Sequence, residues 1–163
     1  MRIFYDSSIQ ANATNHILSE DESKHVIKVL RLKTGDNLAI VNGEGDYFET
    51  TISDPHPKKC SVQIDRVKSI TKPEHSIHIA IAPTKQMDRL EWFVEKATEI
   101  GITEISLIVC DNNERVNIKI ERLEKRVISA LKQSKRLFKP IINEPISFSK
   151  FIEANKGGLI AHC

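Results

Sequence analysis

From Met1 to about Ser69 apolar residues recur in short alternating runs, each closed by polar or turn-forming residues. This period of two predicts strands over Arg2 to Tyr5, His16 to Leu18, Asn37 to Val41, Tyr47 to Ser53 and Ser61 to Val67. So many short strands in so short a span predict a small β-barrel. Asn42, Gly43, Glu44, Gly45 and Asp46 lie between two of the strands, and glycine reaches the positive φ angles that a hairpin turn requires. One helix interrupts the strands. Ser19 is placed to cap it, and Glu22 three residues on completes a capping box before His25, Val26, Val29 and Leu30. On a helical wheel Val26, Val29 and Leu30 share a face that should plug the barrel, while Lys24, Lys28 and Arg31 share the opposite one.

The pattern changes after SITKPEHS (residues 69–76), where apolar periodicity is lost and Pro73 suits a linker. The domain boundary is expected here, giving residues 1–72 and 73–163. Ile77, Ile79, Ala80, Ile81 and Ala82 form a nearly continuous apolar run, as expected of a strand covered on both faces. A helix from Lys85 to Ile100 places Met87, Leu90, Phe93, Val94, Ala97 and Ile100 on one arc, and Gly101 follows as its C′ residue. Ile105 to Val109 returns to strand. A second long helix, Ile118 to Leu137, buries Ile120, Leu123, Val127, Ala130 and Leu131 and carries Arg122, Arg126, Gln133 and Arg136 along a flank. A short helix is expected over Phe148 to Ala154 and a last strand over Leu159 to Cys163. Strands alternating with helices predict a parallel α/β sheet. A buried-type strand as the final five residues, with nothing after it to cover the sheet, is expected of a truncated chain.

Charge sharpens this picture. Between Glu114 and Lys139 stand nine basic residues against three acidic ones, a local net charge of +6 where the whole chain carries +2. Such concentration is expected of a surface that faces phosphates, and the predicted partner is a nucleic acid. Lys85 and Arg89 sit in the first turn of their helix, against the helix dipole, as cations that serve a bound anion do; a solvated lysine fits the position equally well. The alternating charges of Glu95, Lys96 and Glu99 predict local pairing on a solvated face.

Several classes are disfavoured. The chain has no run of apolar residues long enough for a membrane span, and MRIFYDSSIQ lacks a signal peptide's apolar core, so a cytoplasmic protein is expected. Cys60, Cys110 and Cys163 are too widely spaced for a zinc knuckle and odd in number, which predicts reduced thiols. No G-x-G-x-x-G or G-x-x-x-x-G-K-[ST] occurs. His75 and His78 fall on opposite faces of a strand start and would not share a metal, and Cys110 has no assignable histidine partner.

With these residues in view the chain resembles the RsmE family, bacterial enzymes that methylate N3 of a uridine in 16S ribosomal RNA. The amino-terminal part is similar through H25-VIKV-L30-R31-LKTGD36 and N42-GEG-D46; the remainder is similar through K85-QMDR89, E95-KATEIG101, N113-ER115, R122 and Q133-SKR136-LFKP140. The resemblance implies a PUA-like β-barrel followed by a SPOUT-type α/β domain with a trefoil knot, S-adenosylmethionine as methyl donor, a homodimer with its active site between subunits, and the small ribosomal subunit's RNA as partner. The chemistry implied is direct attack of a deprotonated uracil N3 on a sulfonium methyl group, helped by positioning and charge stabilisation. The residues expected to hold RNA are Lys24, Lys28, Arg31, Lys85, Arg89, Arg115, Arg122, Arg126, Gln133 and Arg136. No general base is assigned. The family's G-P-E-G-G segment and later leucine-rich loop have no counterpart before Cys163, so the knot segment and most cofactor contacts are expected beyond that residue. The chain by itself is expected to bind the cofactor weakly and to be inactive. A non-catalytic RNA-binding module is the alternative.

Overall fold

The computed structural model describes residues 2–111, 113 and 118–161. These divide into two compact units: Met1–Glu74 with Ile128–Lys139, and His75–Val127 with Pro140–Cys163. The expected boundary after residue 72 is contiguous, whereas here a later segment, 128–139, groups with the first unit.

In the first unit five strands, β1 (Ile3–Tyr5), β2 (Asn15–Ile17), β3 (Asn37–Val41), β4 (Asp46–Asp54) and β5 (Ser61–Ser69), form one sheet in the order β1-β3-β4-β5-β2. Only β1 and β3 run parallel. The sheet curls into a half-barrel. Helix α1 (Glu20–Lys24) is capped as the sequence predicts, with Ser19 Oγ accepting from the Glu22 amide at 3.3 Å. It then runs into a π-helical turn, His25–Val29, in which the Leu30 amide donates to the His25 carbonyl. That turn corrects the expected plug. A π turn holds more residues than the 3.6 of an α-helix, so the wheel fails past His25: Val26 is fully buried and Leu30 packs on the core, but Val29 turns out to solvent. Phe4, Ile9, Leu38, Ile40, Phe48, Ile52 and Val62 complete this core, each buried side chain contributing roughly 1.5–3 kcal/mol.

The glycine turn between β3 and β4 does more than reverse the chain. The Asn42 side-chain oxygen accepts from the amides of Glu44 and Asp46, closing the turn on itself. Gly45 then donates its amide to the Leu137 carbonyl, and the Lys139 amide donates to Gly43, so the turn grips the segment after the second long helix. A Cβ on Gly45 would stand 2.7 Å from both the Ile70 carbonyl oxygen and the Phe138 ring, and its φ is +108°.

The second unit holds a parallel sheet in the order β6-β7-β8, built from β6 (His78–Ile81), β7 (Glu104–Val109) and β8 (Ile141–Ser147). Strand β8 is absent from the sequence reading because Pro145 interrupts it. Proline is tolerated here since the strand lies at an edge and its register against β7 shifts between Ser106 and Ile108. Helix α2 (Met87–Ile100) ends at Gly101 in the left-handed region, φ +99°, as predicted. Helix α3 spans Ile120–Ser134, shorter than predicted because Lys135 takes φ +58° and the Arg136 amide folds back to the Leu131 carbonyl. Leu90, Val94, Ala97, Leu123 and Val127 from α2 and α3 pack with Ile105, Leu107 and Ile142 of the sheet. On the opposite face His78 Nε2 lies 2.8 Å from Ser106 Oγ, which also accepts from Asn143, and the Phe151 ring of α4 (Phe148–Ala154) meets His78 edge-on. The strand expected over Leu159 to Cys163 is not formed at 159–161, and residues 162 and 163 lie outside the described residues.

Candidate nucleic-acid interface

The expected RNA-binding residues are shared between the two units. Lys24, Lys28, Arg31, Gln133 and Arg136 belong to the first; Lys85, Arg89, Arg122 and Arg126 belong to the second; Arg115 lies outside the described residues.

In the first unit Lys24 is tied to Glu20 one turn earlier at 2.7 Å. Hydrogen bonding from Lys24 holds the Glu20 carboxyl below its ordinary range. Lys28 is exposed and has no ion pair among the described residues. Arg31 is exposed at φ +56°, in the left-handed conformation usually given to glycine, and the Leu32 amide beyond it returns to the Val26 carbonyl. Main-chain geometry at a helix end therefore sets its position. Lys132, counted in the local charge excess, is bound at 2.9 Å to Glu22 of α1.

In the second unit the arrangement rests on side chains. Glu91 of α2 is 4% exposed, with a guanidinium from α3 on each oxygen: Arg122 Nε faces Oε1 as an ion pair, and Arg126 Nε donates to Oε2 at 2.7 Å. The Oε1 contact is not a well-directed hydrogen bond. Burial pushes the Glu91 carboxyl up, but the Arg126 hydrogen bond and the charges of both arginines outweigh it and hold the group below its ordinary value. The arginines stay about half exposed, at 56% and 50%. Asp88 stands 3.7 Å from Arg122. Two of the cations read along α3, Arg122 and Arg126, are thus answered by carboxylates of α2.

Beside this cluster Asp88, Arg89, Trp92 and Phe93 line a shallow pocket of about 470 Å³, with Trp92 64% exposed. Lys96 bridges Glu95 at 2.9 Å and Glu99 at 3.0 Å, the local pairing the sequence predicts. No group of histidine, cysteine and acidic residues suited to a metal occurs among the described residues, and no helix among them is long and apolar enough to cross a membrane.

Two family models match successive parts of the chain. One described as an RNA methyltransferase PUA domain matches residues 18–65, within the half-barrel, and one described as an RNA methyltransferase domain matches residues 71–163. The chain belongs to the RNA methyltransferase family. Ribosomal RNA small subunit methyltransferase E of Rickettsia conorii is 32% identical over 154 residues, which are 94% of this chain and 63% of that protein. The corresponding protein of Buchnera aphidicola is 30% identical, over 95% and 63%. Among solved structures, a probable rRNA-methyltransferase from Porphyromonas gingivalis superposes with TM-score 0.83 at 39% identity, covering 93% of this chain and 63% of that one. A putative methyltransferase from Legionella pneumophila, solved with bound SAM, superposes with TM-score 0.82 at 25% identity, covering 94% and 66%. The chain spans about 63% of the length of the first two relatives.

Within the RNA methyltransferase region the sequence reading named the arginines and missed their partner. Glu91 was legible as an anomaly: with Met87 four residues before and Val94 three after, it stands at helical spacing inside the apolar arc. A carboxylate there needs a buried cation. The wheel also misplaced Ile100, which is 69% exposed, because the buried arc of α2 is centred on Leu90, Glu91, Val94, Ala97 and Thr98.

Proposed function

We propose that the protein takes part in S-adenosylmethionine-dependent methylation of N3 of a uridine in 16S ribosomal RNA, in the cytoplasm, as a homodimer. The observation that carries this reading is the pairing of an RNA methyltransferase match over residues 71–163 with a PUA match over 18–65, on a fold that superposes on a probable rRNA-methyltransferase. One pocket among the described residues is walled by four side chains of α2, and another, of about 700 Å³, lies in the half-barrel among Ser8, Asn15, His16, Ile17, Ser53 and Ser61. The reading assigns to Lys24, Lys28, Arg31, Lys85, Arg89, Arg115, Arg122, Arg126, Gln133 and Arg136 the task of gripping the RNA, because cations and amide donors placed beside a reactive base fix its position and oppose its developing negative charge.

Incubation of the full-length protein with 16S RNA and S-adenosylmethionine, followed by nucleoside mass spectrometry, tests the reading. The expected product is 3-methyluridine. RNA affinity that falls steeply with salt, without heat of S-adenosylmethionine binding and without methylated product, would replace it by a non-catalytic RNA-binding module. Light scattering that reports a monomer at micromolar concentration would remove the homodimer.

A further inference from the structure

Burying a carboxylate is costly, and a hydrophobic residue of similar volume is often at least as stabilising as a buried ion pair. Glu91 nevertheless occupies the α2–α3 contact at 4% exposure, against two arginines that stay half exposed. It subtracts a unit of charge from the helix that the RNA-binding reading relies on. If charge alone mattered at this surface, Glu91 would be a defect.

The geometry shows what it does instead. Both arginines meet Glu91 through Nε, the nitrogen nearest the side-chain stem. Among the described residues Arg126 uses no other guanidinium nitrogen, and Arg122 adds only the loose 3.7 Å approach of Nη2 to Asp88. A guanidinium is a rigid planar fork, so the hydrogen bond at Arg126 Nε restricts the direction of its Nη groups, while the ion pair at Arg122 Nε keeps the second fork close to the same carboxylate. Arg122 and Arg126 are also four residues apart on α3, hence neighbours on one helix face.

We propose that Glu91 is a positioning residue for RNA binding: its hydrogen bond orients the guanidinium of Arg126 and its ion pair holds that of Arg122 alongside, so that their Nη groups form a pre-set, two-pronged clamp for backbone phosphates. This rests on the RNA-binding reading above and deepens it. The ordering of two flexible side chains occurs on folding and is not repeated at the moment of binding, which is how pre-organisation adds affinity. Phosphate then takes the bidentate contact that suits an arginine fork.

Neutralisation and positioning make opposite predictions for Glu91→Gln, which removes the negative charge but keeps the volume and an acceptor oxygen. Charge arithmetic alone predicts tighter RNA binding. Positioning predicts weaker binding despite the added positive charge. The experiment measures affinity of the protein for a single-stranded RNA oligonucleotide of mixed sequence across a salt series, at a temperature where circular dichroism shows each variant folded. The expected result is about five- to tenfold weaker binding for Glu91→Gln at low salt, with a salt slope shallower by about 1. A second variant, Arg122→Lys with Arg126→Lys, keeps the charge and loses the fork; it should lose affinity to a similar extent, and it decides the matter if Glu91→Gln does not fold. Unchanged or tighter binding by folded Glu91→Gln, or wild-type affinity in the double lysine variant, overturns the clamp. A wild-type protein without salt-dependent affinity for RNA overturns the RNA-binding reading and the clamp together. Wild-type binding with an unweakened Glu91→Gln overturns the clamp alone.

Discussion

The two units place their cations by different physical means. In the half-barrel unit Arg31 and Lys135 are held by the main chain, each in the left-handed conformation that ends a helical segment. In the parallel-sheet unit Arg122 and Arg126 are held by a side chain, the buried Glu91. A main-chain device costs conformational strain at one residue and leaves the full charge exposed. A carboxylate device gives up charge for a fixed direction. The lesson is that a run of basic residues along a sequence measures neither the charge nor the order of the surface it forms. Lys132, Arg122 and Arg126 are each answered by a carboxylate that lies off the run itself.

The largest expected effect strikes the main-chain side of this contrast. Gly45→Ala puts a Cβ 2.7 Å from the Ile70 carbonyl oxygen and the Phe138 ring at φ +108°, so unfolding in urea should show a loss of about 2–4 kcal/mol. Gly35→Ala is the control: its φ is also positive, at +88°, but nothing stands within 4 Å, and the loss should stay near 1 kcal/mol. Equal losses at the two sites would show that the turn does not grip residues 137–139.

Next comes the side-chain device. Glu91→Ala leaves two guanidinium groups without their carboxylate, but both are half exposed and water replaces part of the loss. Urea unfolding should report about 1–2 kcal/mol, below the cost of breaking a fully buried pair. A smaller effect of opposite sign is expected at Arg31→Gly, where relief of the left-handed strain should raise stability by about 0.5–1 kcal/mol in thermal or urea melts. RNA affinity should fall in the same variant, separating what the residue costs the fold from what it contributes to binding.

The last effect is electrostatic, confined to acid pH, and lies in the half-barrel unit. Burial raises the Asp6 carboxyl, but hydrogen bonds from His16, at 3.0 Å, and from Ser8 outweigh it and bring the pKa down to about 2. A carboxylate depressed on folding contributes stability that is complete above its unfolded value, near 4, and is lost as pH falls toward 2. Acid titration of stability should therefore show a contribution of about 2 kcal/mol between those limits, and Asp6→Asn should flatten it. A variant with the same acid profile as wild type would assign that loss elsewhere.

Much of the architecture was legible before any coordinate. Asn37–Val41 and Phe148–Ala154 occupy their predicted bounds because in each a clear apolar period is closed by a turn former or an N-cap serine. Gly101 was legible as a C′ residue for the same local reason. Strand β8 was not, since Pro145 argues against a strand unless an edge position and a register shift are known. The candidate interface was legible by residue type and not by arrangement. Arg122 and Arg126 could be named from charge and resemblance, but their attachment to Glu91 depends on two helices meeting 35 residues apart.

The order of residues alone determined the alternation of apolar positions, the caps and glycine turns, and hence a β-rich unit followed by a parallel α/β unit. These are short-range matters, governed by periods of 2 and 3.6 residues and by the φ angles a residue tolerates. Tertiary structure alone decided which cations keep their charge at the surface, why the π turn expels Val29, and why residues 128–139 group with the half-barrel. Each depends on partners distant along the chain, and the energy of a buried charge is set by what lies across from it.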